Sequence, residues 1–318
     1  MRICRVQLNG RPQLGFYDEQ RIIPLEVAAL VYSHALGKTI ELPASDCLLN
    51  VLPGGSAFSA VKTLADWVAG NGPSIPNSVT IPLPQAKLLV PIPKPNKIFL
   101  LAGNYADHIR EGGGLAAERA ETFPYVFMKP ATTTLVNPGD PVRVPKVSPG
   151  AIDWELELAV IIGKTCKGVK EADALNYVAG YTVINDISNR KFKPNPGRSK
   201  REKDGFFDWL HGKWHDSFCP SGPCAVSADA VPDPQTLPMN LKLNGEIRQN
   251  ASTALQIFPV AAVIEFISSF VTLEPGDLIS TGTPAGVGNT TGTYLKAGDK
   301  LEATIEGIGT LVSPVVGE

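Results

Sequence analysis

One stretch, DWELELAVIIGK at positions 153–164, constrains the fold more than any other part of the sequence. Asp153, Glu155 and Glu157 occupy alternate positions, so in an extended strand their side chains point to the same face. The residues that follow, LAVIIG, form an unbroken apolar run, which is typical of a strand buried on both faces. An ordinary half-exposed strand is the simpler alternative. If the strand is buried, the two glutamates need a counter-charge in the protein interior.

A divalent cation could supply that counter-charge. Two carboxylates on a buried strand repel each other and are costly to desolvate, and a cation relieves both penalties. Carboxylate oxygens suit Mg²⁺ or Mn²⁺, with Ca²⁺ as a non-catalytic occupant. Asp186, in VINDISNR, ends a second apolar strand. By itself Asp186 is typical of a strand-end cap or turn residue, but with Glu155 and Glu157 it predicts a three-carboxylate metal site.

The remaining pattern predicts a mostly β protein with a small α+β unit at its start. The 318 residues are 43% hydrophobic, which supports a sizeable core. We place an N-terminal α+β domain at 1–90, a proline-rich connector, and a larger domain at 95–318. Short strand signals dominate the larger domain, including a hairpin turn at Asn244-Gly245, and helices are predicted only at about 171–178 and 259–270. This pattern favours a sandwich or roll over a doubly wound sheet.

Composition excludes several classes of partner. The formal net charge of −2 gives no attraction to nucleic acid or anionic membranes, so we expect a small-molecule partner. The longest apolar stretch, which starts at Phe258, is too short for a membrane span and contains Glu265, so it predicts a core helix. Five scattered cysteines favour reduced thiols in the cytoplasm over a disulfide framework or a zinc site.

Two further motifs carry candidate chemistry. In GNYADHIREGGG, His108 and Glu111 are three positions apart, so on one helical turn they can hydrogen-bond, and the carboxylate would orient the imidazole as a base. A solvated pair on a surface helix is the alternative. The second motif, STGTPAGVG at 280–288, lacks the Gly-Lys-Ser/Thr ending of a phosphate loop and is not expected to open a helix. Nucleotide binding is therefore not predicted.

Taken in chain order, GNYADHIRE, the Glu-Leu-Glu strand, an Asp about thirty residues later and STGTPAGVG resemble the fumarylacetoacetate hydrolase superfamily over residues 95–318. The resemblance implies that family's mixed β-sandwich roll, a divalent metal and a homodimer. The N-terminal extension is similar to that of two-domain members. Some members use a further acidic ligand upstream of the histidine, where this chain has Leu101, so the resemblance is to the three-carboxylate members.

The resemblance also implies roles for individual residues. Glu155, Glu157 and Asp186 would bind the metal, the His108–Glu111 pair would activate a water, and Lys213 would stabilise an oxyanion. A surface lysine is the ordinary alternative for Lys213, and a strand-end cap is the alternative for Arg190. The residues expected to contact substrate are Tyr105, Arg190, Gly282 and Thr283.

These roles predict a hydrolase that cleaves a carbon-carbon bond in a 2,4-diketo acid of the acylpyruvate or fumarylpyruvate type, releasing a carboxylic acid and pyruvate. Such a reaction belongs to the breakdown of aromatic compounds or sugar acids. The same apparatus would support a 2-oxo acid decarboxylase, a tautomerase or a 2-oxo-enoate hydratase. A metal-stabilised binding protein without turnover is a further alternative, which an intact His108, Glu111 and Lys213 disfavour.

The segment at 189–217 departs from the family pattern. It is long and basic, and we expect either a charged, exposed loop or a lid whose Phe206, Phe207 and Trp209 select a hydrophobic substrate tail. His211 and His215 flank Lys213 and receive no role.

Overall fold

The computed structural model describes residues 1–72 and 75–318. These residues form mostly β-strands. The strands in these residues are β1 (Arg2–Leu8), β2 (Arg11–Tyr17), β3 (Arg21–Pro24), β4 (Ile81–Pro82), β5 (Lys87–Leu89), β6 (Ile98–Ala102), β7 (Tyr125–Met128), β8 (Leu135–Val136), β9 (Val142–Val144), β10 (Ile152–Asp153), β11 (Leu156–Ile162), β12 (Val178–Asn185), β13 (Ser188–Asn189), β14 (Cys219–Ser227), β15 (Pro238–Leu243), β16 (Glu246–Ser252), β17 (Leu278–Ser280), β18 (Lys300–Ile305) and β19 (Gly309–Gly317). The helices are α1 (Leu25–Leu36), α2 (Phe58–Asn71), α3 (Ala106–Glu111), α4 (Glu171–Ala174), α5 (Asp204–His211), α6 (Val260–Phe270) and α7 (Gly288–Thr291).

A twelve-stranded sheet runs through the described residues. Its main path has the order β4-β3-β2-β1-β14-β12-β11-β17-β6-β7, while β5 pairs with β1 and β8 pairs with β14. A five-stranded sheet has the order β16-β15-β18-β19-β9, and β10 pairs with β13. The predicted mostly β fold class is confirmed.

The N-terminal strands join this large sheet. β1 pairs antiparallel with β14, with Ile3 opposite Ala225, so the first strands extend the sheet that also contains β11 and β12. The division into domains at 1–90 and 95–318 stays a prediction. Backbone hydrogen bonds between β1 and β14 nevertheless join the N-terminal strands to the sheet that holds the candidate site.

The strand β11 is buried along its whole length, as its apolar run predicts, and the half-exposed alternative is wrong. Leu156, Leu158 and Val160 belong to a core cluster that also contains residues of the five-stranded sheet and α6. Ala159 and Ile161 belong to a second cluster that also contains residues of α1 and α2. Both faces of the strand are therefore covered by protein, and Glu157 lies on the face of Ala159.

Several local predictions hold. Helix α6 begins one residue inside its predicted range, and α4 continues as a 3₁₀ turn at Leu175–Tyr177. The turn between β15 and β16 has positive φ angles at Asn244 (52°) and Gly245 (86°), the conformation for which these residue types are favoured. None of the described helices has the length and apolar character needed to cross a bilayer.

Two predictions about helices are wrong. The segment at 189–217 is not only a loop, because it contains α5, whose Trp209 packs edge-on against Phe127 of β7 with ring centroids 4.9 Å apart. Packing of this half-buried aromatic side chain positions the helix, which charge counting did not reveal. The motif at 280–288 does open a helix, the short α7, because the Asp153 carboxylate accepts hydrogen bonds from the free N–H groups of Gly288 and Asn289.

Candidate active site

Three carboxylates meet where β11 begins and β12 ends. The two strands pair antiparallel, with Leu156 opposite Asn185, so Glu155 before one strand lies beside Asp186 after the other. The backbone N–H of Asp186 donates to the carbonyl of Glu155 at 2.8 Å. Glu155, Glu157 and Asp186 each have an oxygen within 4.8 Å of the others, and all three are buried. We call these three residues the acid cluster.

The acid cluster has the properties of a cation site. Glu157 is fully buried, and its Oε1 has no hydrogen-bond partner among the described residues, while its Oε2 accepts from Ser280 Oγ at 2.6 Å and Gly282 N at 2.9 Å. Burial, reinforced by the charges of Asp186 and Glu155, raises the pKa of Glu157 well above its ordinary value. A buried oxygen without a partner, on a carboxylate whose charge is disfavoured, is what a divalent cation would satisfy. The residues present therefore fit such an ion.

Two cations from the segment at 189–217 contact the cluster. Lys213 Nζ donates to Glu155 Oε2 at 2.8 Å and to Asp186 Oδ2 at 2.6 Å. Arg190 Nη2 lies 2.6 Å from Glu155 Oε1. Burial opposes ionisation of Glu155, but the charges of Lys213, Arg190 and His108 outweigh it and hold the pKa of Glu155 below its ordinary value. The surface-lysine alternative for Lys213 is wrong, since the residue is 3% exposed.

Lys129 is a third cation at the cluster, and the sequence motifs did not predict it. Its Nζ pairs with Asp186 Oδ1 and also donates to the carbonyls of Ile187 and Phe218. One signal was available in the sequence. Lys129 lies two positions after Phe127 and directly after β7, so alternation continued from the strand places it on the same side as the buried Phe127.

Asp153 has a different role from the two glutamates that share its strand pattern. Its carboxylate accepts from Arg190 Nε at 2.8 Å and from Gly288 N at 2.6 Å. It thereby connects the guanidinium beside Glu155 to the N-terminus of α7. Burial raises the pKa of Asp153, although Arg190 opposes this rise. Asp153 therefore acts as a structural anchor rather than as a member of the acid cluster.

The histidine and glutamate of α3 are paired. His108 Nδ1 lies 2.8 Å from Glu111 Oε1, and Glu111 Oε2 accepts from Gly286 N at 2.9 Å. Burial opposes ionisation of Glu111, but the hydrogen bonds from His108 and Gly286 prevail and lower the pKa of its carboxyl. Both side chains are about one-fifth exposed, so the pair lies at the surface of the protein. With Nδ1 engaged, Nε2 is the ring nitrogen of His108 that remains for another partner.

The residues at 280–288, which we call the entry loop, contact both α3 and the acid cluster. Gly282 has φ 88°, and a Cβ there would lie 2.8 Å from the Cβ of Asn104, so glycine is required. Thr283 Oγ1 donates to the carbonyl of Leu156 at 2.9 Å and accepts from Gln249 Nε2 at 2.8 Å. Tyr105 is 2% exposed, and its hydroxyl contacts Met239 Sδ and Gln256 Nε2. As placed, these side chains support the loop, and their predicted contacts with substrate stay predictions.

Several buried amides hold this loop and were not predicted. Gln249 accepts from Leu156 N at 3.0 Å through Oε1, and its Nε2 donates to the Pro284 carbonyl at 2.8 Å. Asn104 Nδ2 donates to the Thr281 carbonyl at 2.8 Å. Gln249 lies on β16 of the second sheet, so the contact depends on sheet packing that no local motif reveals.

An apolar groove of about 760 Å³ lies at the edge of the large sheet beside α5. Phe206 and Trp209 of α5 line it together with Phe127 of β7 and Phe266 and Phe270 of α6. Phe206 is 56% exposed, and Phe207, on the same helix, is 44% exposed. Of the three aromatics predicted to form a lid, only Trp209 lies near Lys213, with its ring centroid 6.0 Å from Nζ.

Comparisons with known proteins show the family of this chain. The family model for the fumarylacetoacetate (FAA) hydrolase C-terminal domain matches residues 97–316. The chain belongs to the fumarylacetoacetate hydrolase superfamily. Members of this superfamily are enzymes, and the relatives include hydrolases, isomerases and tautomerases.

Three relatives illustrate the tautomerases and hydrolases. Oxaloacetate tautomerase YisK of Bacillus subtilis is 35% identical over 99% of this chain and 100% of its own length. The 2,4-didehydro-3-deoxy-L-rhamnonate hydrolase of Sphingomonas sp. is 44% identical over 70% of this chain and 73% of its own. The structure of maleylpyruvate hydrolase from Sphingobium sp. SYK-6, in complex with manganese(II) and pyruvate, superposes with a TM-score of 0.70 at 30% identity, covering 100% of this chain and 99% of that one.

Proposed function

We propose that this protein is a divalent-cation-dependent hydrolase that cleaves the C3–C4 bond of a 2,4-diketo acid, with Mg²⁺ or Mn²⁺ held by Glu155, Glu157 and Asp186. The observation that carries the proposal is that one loop joins a paired histidine and glutamate to a buried carboxylate cluster: Gly286 N donates to Glu111 and Gly282 N donates to Glu157, while Lys213 contacts the cluster. A divalent cation would supply the charge that binds the carboxylate and 2-oxo group of the substrate and draws electrons toward the pyruvate half.

His108 acts as the general base in this proposal. Its Nδ1 is hydrogen-bonded to Glu111, so Nε2 takes a proton from a water that attacks the C4 carbonyl. Glu111 holds the imidazole in position and stabilises the imidazolium that forms. Gly286 N, bonded to the other oxygen of Glu111, fixes the direction of that carboxylate.

Lys213 stabilises the oxyanion at C4. Two of its three N–H groups are engaged by Glu155 and Asp186, which leaves one donor for the substrate. When the tetrahedral intermediate collapses, the C3–C4 bond breaks, its electron pair forms the enolate of pyruvate, and the acyl group leaves as a carboxylic acid. The enolate then takes a proton at C3.

A second candidate is the tautomerisation of an oxaloacetate-like acid. It is favoured by the match of an oxaloacetate tautomerase over 99% of this chain. In that reaction the same histidine would move a proton between C3 and the 2-oxo oxygen, and no water would attack. The other site residues would keep their positions.

One experiment separates these candidates. The purified protein is assayed against acylpyruvates of increasing tail length and against enol-oxaloacetate, with and without EDTA, while products are followed by ¹H NMR. We expect release of pyruvate and a carboxylic acid that EDTA abolishes. Ketonisation of oxaloacetate without any cleavage of acylpyruvates would identify the tautomerase instead. Turnover that is insensitive to EDTA, or no turnover of either substrate class, would contradict the proposed chemistry.

A further inference from the structure

Two buried lysines hold the same carboxylate, Asp186, from opposite oxygens. Lys129 Nζ pairs with Oδ1, and Lys213 Nζ donates to Oδ2. Both lysines are 3% exposed. They come from different parts of the chain, since Lys129 follows the strand β7 and Lys213 follows the helix α5. Their surroundings give them different freedom to move.

Lys129 is held by the backbone. Its Nζ donates to the carbonyls of Ile187 and Phe218 and forms an ion pair with Asp186 Oδ1. If Lys129 turned away, two buried carbonyls would lose their side-chain donor, and unmade hydrogen bonds of that kind are costly. Lys129 therefore has a fixed position whatever else the site contains.

Lys213 is not saturated. Within the described residues its Nζ has two acceptors, Glu155 Oε2 and Asp186 Oδ2, and both are side chains of the acid cluster. Its remaining surroundings are aromatic, with the ring centroid of Phe127 at 5.3 Å and that of Trp209 at 6.0 Å. Among the residues that the structure describes, no backbone carbonyl accepts a hydrogen bond from this ammonium, so its hydrogen-bond partners are the carboxylates of the cluster.

A divalent cation and the Lys213 ammonium therefore compete. A cation on the acid cluster would bind the carboxylates that Lys213 now contacts, and like charges a few ångströms apart in a buried site repel strongly. Lys213 can give way without leaving a backbone group unpaired. Lys129 cannot, and it approaches Asp186 from the opposite oxygen.

We propose that Lys213 is a displaceable internal counter-ion, which releases Glu155 and Asp186 when a divalent cation enters, whereas Lys129 is a positioning residue that keeps Asp186 in place throughout. This inference rests on the metal site of the proposed function. The exchange has a consequence for that function, because a released Lys213 has all three N–H groups available. With the cation bound, Lys213 would offer the substrate more donors than the one left free while it contacts Glu155 and Asp186.

The two lysines form a matched pair for an experiment, since Lys213→Met and Lys129→Met each remove one buried positive charge beside Asp186. Binding of Mn²⁺ to the wild-type protein and both variants is measured by electron paramagnetic resonance titration of the free ion. We expect Lys213→Met to bind Mn²⁺ more tightly than the wild type by about tenfold or more, because the competitor is gone. Lys129→Met should bind Mn²⁺ no more tightly than the wild type, because Asp186 loses its fixed orientation.

Equal gains in both variants would show a general charge effect and overturn the inference, as would a Lys213→Met protein that gains nothing. A wild-type protein and variants that all fail to bind Mn²⁺ at millimolar concentration would instead contradict the proposed function itself.

A measurement on the wild-type protein tests the inference even if the variants do not fold. In protein with ¹⁵N-labelled lysine, added Mg²⁺ should shift the side-chain ammonium resonance of Lys213 and leave that of Lys129 in place. If the Lys213 resonance does not move on Mg²⁺ binding, the inference is wrong.

Discussion

The acid cluster and the pair His108–Glu111 belong to one candidate site, but they are built in different ways. Glu155, Glu157 and Asp186 lie on or beside two paired strands of the large sheet, and each is at most 5% exposed. His108 and Glu111 lie on a helix of six residues, are about one-fifth exposed, and connect to the entry loop through one backbone hydrogen bond. Strand pairing fixes positions more firmly than a short helix between glycines does.

This difference separates two properties of the protein. Binding of a cation should depend on the sheet-built cluster, and proton transfer on the loop-built pair. Substitutions in the acid cluster should therefore change cation affinity, and substitutions in the pair should change turnover without changing cation affinity. A variant of the pair that also loses cation affinity would show that the two regions are coupled.

The largest effect is expected from Glu157→Gln. The Glu157 carboxylate has an oxygen without a partner, so the amide removes a ligand, and Mn²⁺ affinity should fall more than about a hundredfold, beyond the loss typical of residues that only support ligands. Turnover should be lost with it. Because the pKa of Glu157 is raised, its charge destabilises the metal-free fold at neutral pH, so the variant in EDTA should be at least as stable as the wild type.

Isothermal titration with Mn²⁺ and thermal unfolding in EDTA check these two expectations. Glu246→Gln, on an exposed position of β16, is the matched control and should change neither quantity. A Glu157→Gln protein that keeps wild-type Mn²⁺ affinity would remove Glu157 from the cation site.

The second prediction concerns the loop-built pair. His108→Ala should lower kcat by roughly a hundredfold to ten-thousandfold, the range typical of a general base, with little change in Mn²⁺ affinity. Steady-state kinetics on the preferred acylpyruvate and the same Mn²⁺ titration test it. His34→Ala, at an exposed position of α1, is the control. A large loss of Mn²⁺ affinity in His108→Ala would show that the two regions are coupled.

The parts of the site differ in how far the sequence alone could predict them. Alternation in DWELELAVIIGK predicted a buried strand with two acids, and the ordered motifs led to Asp186, since both signals are local or recur in the family. Lys129 and Gln249 reach the site from other strands, and their contacts depend on strand order and sheet packing. A short window of sequence can predict that Lys129 is buried, but not which residues Lys129 and Gln249 contact. The same is true of α5, whose position is set by the packing of Trp209 on Phe127.

Asp153 shows the limit of a local pattern most clearly. By spacing it is equivalent to Glu155 and Glu157, yet it anchors Arg190 and the N-terminus of α7. We expect Asp153→Ala to lower the free energy of unfolding by about 2 kcal/mol, because Arg190 Nε and the N–H groups of Gly288 and Asn289 lose their shared acceptor. Urea unfolding measures this loss, with the exposed Asp216→Ala as the control. A variant as stable as the wild type would show that these three donors do not need the Asp153 carboxylate.

The smallest effect concerns the contact that joins the pair to the entry loop. Hydrogen bonds from His108 and Gly286 outweigh burial and lower the pKa of Glu111 from its ordinary 4.5. A carboxylate whose pKa is lower in the folded state stabilises the fold at pH values above 4.5, and this contribution is lost as the pH falls through the lowered value. Glu111→Gln should remove the contribution, which partial exposure limits to less than about 1 kcal/mol. Urea unfolding at several pH values should show the wild type more stable than the variant at neutral pH, and their free energies of unfolding should converge in acid.

The exposed Glu121→Gln serves as the control. Curves that diverge in acid would mean that the Glu111 carboxylate is not held ionised by these two donors, and the entry loop would then need a different anchor to α3.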